Sequence, residues 1–121
     1  MKKISCVVAL FLGFTGAVYA QDYTYDSTPV NFPGKLIIKN SETSMIKFDP
    51  PINVIARSKD FFPSESNISE VELLLTDRTT SEFRRCLSAK KAVVNGILIH
   101  ASNPGSYKTV VAIDVAKINC D

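Results

Sequence analysis

The chain predicts a small all-β barrel of five strands with one short helix between the third and fourth. Two observations lead there. From residue 33 onward, apolar residues fall in five short runs separated by turn signals, and only one stretch, 79–88, has helical spacing. Two cysteines, Cys86 and Cys120, lie within this region and are placed to staple it.

The elements follow in order. Residues 21–32 are polar, with Tyr23 and Tyr25 but no period, and read as a flexible lead-in. Pro33-Gly34 is a turn signal, and Lys35–Lys39 follows as the first strand. After a polar turn at 40–44, Met45–Phe48 and Ile52–Ala56 make the second. Pro50-Pro51 interrupts it, and because proline donates nothing to a ladder, an edge or a bulge is expected there. Residues 57–68 form a polar connection containing Phe61-Phe62-Pro63, and Val71–Leu75 is the third strand. Thr79 followed by Glu82 fits a capping box, and Phe83, Cys86 and Leu87 share one helical face. The fourth strand, 91–101, carries Gly96 in its middle, where a bend or bulge is expected. Asn103-Pro104-Gly105 is a turn, and Tyr107–Lys117 is the fifth strand.

Strand, strand, strand, helix, strand, strand is the order of the OB fold, a five-stranded Greek-key barrel. The barrel domain is expected over 33–121. In that fold, ligands lie on strands two and three and between the loops joining strands one and two and strands four and five, here about 40–44 and 102–107.

The first twenty residues read as a cleavable signal peptide. Lys2 and Lys3 precede a mostly apolar stretch from Ile4 to Val18, and Val18-Tyr19-Ala20 has the small-x-small pattern of a cleavage site. A membrane span needs about 20 apolar residues, and this stretch is shorter and broken by Gly13 and Gly16. No membrane span is therefore expected after signal removal. The expected destination is the periplasm of a bacterium, with secretion from the cell as the alternative. Removing 20 of 121 residues leaves 101 and takes away two of the 14 Lys and Arg, so 12 cations stand against 12 Asp and Glu. A chain with no basic surplus is not expected to bind nucleic acid. In an exported chain, Cys86 and Cys120 are expected to form a disulfide bond, closing a loop of about 35 residues worth roughly 3–4 kcal/mol.

Three strands resemble those of a known family. Phe48–Val54 looks like its leucine-aspartate-lysine-proline-isoleucine strand, Ile68–Leu75 like the strand that follows, and Lys91–Ala101 like its valine-x-valine-x-glycine-x-leucine-x-x-alanine strand. The family is an uncharacterised group of small exported bacterial proteins, catalogued as a domain of unknown function and OB-like. The resemblance covers about residues 33–118. Its members often carry a histidine cluster in the turn before the last strand, suggesting metal. Here that turn, 102–108, has no histidine, so the resemblance brings no metal site or cofactor to this chain.

Little in the sequence carries chemistry. His100 is the only histidine. With Asp114 it would make at most a weak metal pair. No Gly-x-Ser-x-Gly motif and no phosphate-cradling glycine loop occur. Glu70 and Glu72 alternate with Val71 and Leu73 as on a solvated strand face. Arg84, Arg85, Lys90 and Lys91 form a small basic cluster, suited to an acidic partner or phospholipid headgroups, or simply to the helix C-terminus. Asn67-Ile68-Ser69 matches a glycosylation sequon without bearing on a bacterial protein. The expected function is that of a non-enzymatic periplasmic binding protein. It would hold a protein partner (a toxin, a hydrolase or an envelope factor) or an oligosaccharide on its barrel face. The alternative is the oligomeric glycan-binding subunit of a secreted toxin. Expected contact residues are Tyr107, His100, Asn103, Phe61 and Phe62.

Overall fold

The structure, a computed structural model, describes residues 21–101 and 109–120. The expected signal peptide lies outside these residues, as do Asn103 and Tyr107. Six strands and one helix are formed: β1 (Asp22–Thr24), β2 (Val30–Lys39), β3 (Thr43–Ile55), β4 (Glu65–Leu74), α1 (Asp77–Cys86), β5 (Ala92–His100) and β6 (Val111–Cys120).

Strands β2 to β6 close into a barrel. β2 pairs antiparallel with β3, β3 with β4, β5 with β2 and β6 with β5, while β4 and β6 pair parallel through Glu72–Leu74 and Ala112–Asp114. This is the Greek-key order of the OB fold, with the helix between the third and fourth barrel strands. Alternate residues of each strand fill the interior, as the period of two requires. On β5 these are Ala92, Val94, Gly96 and Leu98. No helix among the described residues is long and apolar enough to cross a membrane.

β2 serves two neighbours. Its first half, Val30–Gly34, pairs with β5, and its second half, Lys35–Lys39, pairs with β3. The change of partner is tight: a Cβ on Gly34 would stand 2.7 Å from Ile46 Cγ1 and from the Lys47 carbonyl oxygen. In the three-residue turn 40–42, Asn40 and Ser41 both have positive φ, 54° and 66°, and Glu42 N–H donates to the Lys39 carbonyl at 3.2 Å.

Both expected irregularities are present. β3 runs through Pro50-Pro51, with a cis Asp49–Pro50 bond, and its register against β4 shifts between Lys47 and Ile52 and again before Val54. On β6, Asn95 faces Lys117 but Gly96 faces Val115, so Ala116 is an extra residue. That bulge resets the parity of the strand: Val111, Ile113 and Val115 are buried before it and Ile118 after it. Gly96 is needed there, since a Cβ would meet the Asp114 carbonyl oxygen at 2.5 Å and Ile113 Cγ2 at 2.6 Å.

Four local expectations are corrected. The barrel starts ahead of residue 33: β2 begins at Val30, and Pro33-Gly34, expected as a turn, is part of the strand, paired with Val93 and Ala92. Residues 21–32 are not a loose lead-in. β1 pairs parallel with Asn53–Ile55 of β3, along the edge that β2 leaves when it turns to β5, and Tyr25 and Phe32 are buried. The segment reads as polar because only Tyr23, Tyr25, Val30 and Phe32 pack against the core, and they share no single period. β4 begins at Glu65, within the expected connection, because Ile52–Ile68 and Val54–Glu65 pairs extend the hairpin. The helix starts at Asp77 rather than 79. Thr76 is its N-cap, its hydroxyl accepting from Thr79 N–H at 3.3 Å while Thr79 Oγ1 accepts from Thr76 N–H at 2.7 Å.

Glu82 is thereby freed for β6, where it accepts from Ile118 N–H at 2.8 Å. Arg78, paired with Glu82 at 3.0 Å, donates to the Ala116 carbonyl at 2.7 Å, and Arg85 reaches the Ile118 carbonyl at 3.4 Å. The Cys86–Cys120 disulfide completes the seam, with Cα atoms 5.7 Å apart. Thr79, Phe83 and Cys86 turn into the barrel end.

Candidate functional site

Two places on the described surface have organised chemistry. The first is the barrel end where β3 and β5 finish and β4 and β6 start. His100, the last residue of β5, is only 11% exposed, and its Nε2 lies 2.8 Å from Glu65 Oε2. Its other ring nitrogen, Nδ1, is buried with no partner among the described residues. The ring stacks on Phe62, with centroids 5.6 Å apart and planes 17° apart, and Tyr25 stands edge-on to it at 6.5 Å. The Tyr25 hydroxyl donates to the Pro63 carbonyl at 3.0 Å.

These contacts hold the β3–β4 loop, 56–64, at several points. Ala56 N–H donates to Ser64 Oγ at 2.7 Å, and Arg57 N–H to Asp60 Oδ2 at 2.7 Å, closing the turn. The Arg57 guanidinium bridges Asp60 and Asp26 and donates to the Tyr25 carbonyl. The hydrogen bond from Arg57 N–H and the Arg57 charge hold the Asp60 carboxyl below its ordinary pKa, against some burial. Burial, then the charges of Glu65 and Asp60, push the Tyr25 phenol up to about 12. On this braced loop Phe61 is fully exposed, at 100%. Of the four exposed large apolar side chains among the described residues, two more, Ile55 at the end of β3 and Val110 just before β6, come from this end.

Of the residues singled out in the sequence, Phe62 stacks on His100, and Phe61 stands next to Phe62 on the loop, exposed to solvent. Asp114 is not: it pairs with Ile97, three residues up β5 from His100. Among the described residues no three His, Cys, Asp or Glu stand close enough to hold a metal. Glu70 is taken by Lys39 at 2.5 Å. The sequence reading missed Tyr25, Arg57 and Glu65, and the one signal for them was the i, i+2 spacing of Tyr23 and Tyr25.

The second place is a groove of about 390 Å³ between β1, β2, β3 and the α1–β5 connection. Lys35, Lys47, Lys90 and Lys91 line it, with Tyr23, Phe48, Pro33 and Pro50 as its apolar floor. Burial raises the Tyr23 phenol above its ordinary pKa, and its ring packs on Phe32 with centroids 4.6 Å apart. Arg84 and Arg85, by contrast, lie in the last turn of α1. No protein-family model, curated protein or solved structure matches the chain, and the family resemblance rests on its strand motifs alone.

Proposed function

We propose that the protein is an exported, non-enzymatic binding module that holds a protein partner through the barrel end carrying Phe61. The observation that supports this reading is a fully exposed phenylalanine on a loop fixed at its stem. Leaving such a ring in water forgoes roughly 2–3 kcal/mol that burial would return. The fold does not need it there, because Phe62 already fills the space against His100 and Tyr25. A loop that is already ordered loses little conformational freedom when it docks, which favours affinity. An aromatic anchor of this kind, with the smaller exposed apolar side chains Ile55 and Val110 at the same barrel end, matches a protein interface better than a catalytic pocket. The His100–Glu65 pair is one side of an acid–base device, but among the described residues the hydroxyls of Tyr25 and Ser64 beside it are engaged, Tyr25 with the Pro63 carbonyl and Ser64 with Ala56 N–H.

The test is a photoreactive phenylalanine placed at position 61 in the host cell, with position 81 on the exposed face of α1 as control. A discrete adduct from 61 and none from 81 is expected. The same adducts from both positions, or none from 61, would remove the reading. Export belongs to the same proposal. Protein recovered from the host is expected to have the intact mass of a chain beginning at Gln21, and a chain retaining Met1–Ala20 would contradict it.

A further inference from the structure

The lysine groove stands at the opposite end of β5 from His100 and does not depend on the Phe61 loop. Lys35 and Lys47 are direct cross-strand partners, a placement of like charges that destabilises a sheet pair. Lys35 is occupied: its Nζ donates to the carbonyls of Ala89 at 2.7 Å and Leu87 at 3.3 Å, holding the α1–β5 connection against β2. Because Ala92 pairs with Gly34, that connection sets Lys91 beside Lys35, with Lys90 next to it.

Lys47, Lys90 and Lys91 form no ion pair among the described residues. Glu70 faces Lys47 from β4, but its carboxylate is held by Lys39. Asp49 is the one carboxylate among the lining residues. From residue 21 onward the chain has equal numbers of acidic and basic residues, so this local surplus is not a reflection of overall charge. A cleft lined by one sign of charge over an apolar floor concentrates counter-ions.

We propose that this groove binds an anionic saccharide, a sugar ring bearing carboxylate, sulfate or phosphate. Its C–H face would rest on Tyr23 and its charged groups among Lys47, Lys90 and Lys91. The volume is that of a small-molecule site. The aromatic and proline floor calls for a ring rather than a bare ion. The Tyr23 phenol stays protonated and serves as a donor. Lysines act as point charges and accept anionic groups at varied angles, as a decorated sugar presents them. An extended acidic peptide fits less well. It would dock by adding a strand, and Tyr23, Lys35 and Gly34 already have strand partners in Val54, Lys47 and Ala92, which leaves only the three-residue edge of β1 and the proline-interrupted stretch 48–52 of β3 to take one.

The test is calorimetry and amide-shift NMR on the purified protein with sucrose octasulfate and with trigalacturonate. Sucrose, sodium sulfate and a hexaglutamate peptide are the comparisons. Binding of the charged sugars, with shifts at residues 23, 47, 90 and 91 and none from sucrose, is expected. Binding by both charged sugars assigns the site to anionic sugars generally, and binding by one names the charged group. The Lys47→Ala, Lys90→Ala pair is expected to weaken it at least about tenfold without lowering the melting temperature. Tyr23→Leu, which keeps an apolar side chain against Phe32, is expected to weaken the sugar but not sulfate. Unchanged affinity in the lysine variant overturns the proposal. So does sulfate binding as tightly as the sugars, or hexaglutamate binding more tightly than either.

Discussion

Tyr25 is inside the aromatic cluster, bonded to a loop carbonyl and close to two carboxylates, and this makes the protein sensitive to alkali. Its pKa is about 12 when folded against an ordinary 10.0. Where the pH lies between these values, the unfolded chain has lost a proton that the folded one keeps. The stability linked to Tyr25 is therefore complete below pH 10 and is lost as the pH rises through 12. Thermal melts are expected to fall steeply over that window. Tyr25→Phe is expected to flatten the fall, Tyr23 still contributing, while costing about 1 kcal/mol at neutral pH through the lost bond to Pro63. The paired phenylalanines separate cleanly. Phe61→Ser is expected to leave stability within about 0.5 kcal/mol, whereas Phe62→Ser, which uncovers His100 and Tyr25, costs about 2–3 kcal/mol in urea titrations. Sequence alone pointed to both residues. It could not say which of the two faces water, because two adjacent identical residues in an irregular loop have no periodicity to sort them.

The helix and the last strand behave as one element. Three side chains and a disulfide join α1 to residues 116–120, at the Ala116 bulge and beyond it. The paired substitution Cys86→Ser, Cys120→Ser is expected to cost about 3–4 kcal/mol. It is also expected to raise amide exchange across Asp77–Cys86 before the rest of the barrel. Gly96→Ala, opposite the bulge, forces its methyl against the β6 backbone and is expected to cost about 1–3 kcal/mol by chemical denaturation. The disulfide and the special role of Gly96 were both legible, the first from two cysteines in one small domain and the second from a glycine inside a strand pattern. The helix start was not. Thr76 and Thr79 are both competent caps, and Thr79 followed by Glu82 matched the pattern better. The choice fell to Thr76 because Glu82 is used against Ile118, a partner 36 residues away that local spacing cannot reveal.

At the scale of the whole molecule, the barrel order was legible because its five apolar runs and the position of the helix leave few Greek-key arrangements. β1 was not, since three residues with mixed polarity carry no pattern of their own and gain a partner only where β2 leaves β3. A chain starting at Ser27 is expected to be less stable by at least about 3 kcal/mol, the loss of Tyr23 and Tyr25 from the core, with exchange rising at Asn53–Ile55. The strand that closes the barrel has a different meaning for the cell. β6 sits between β5 and β4, so a chain ending before Val111 has two open ladders, one of them running along Val93, Val94, Ile97 and Ile99. Such edges recruit other chains. The ten residues of β6 therefore act as a cap on self-association. A chain that lacks it presents both ladders to other chains, while a chain that has added it is sealed by hydrogen bonds on both sides.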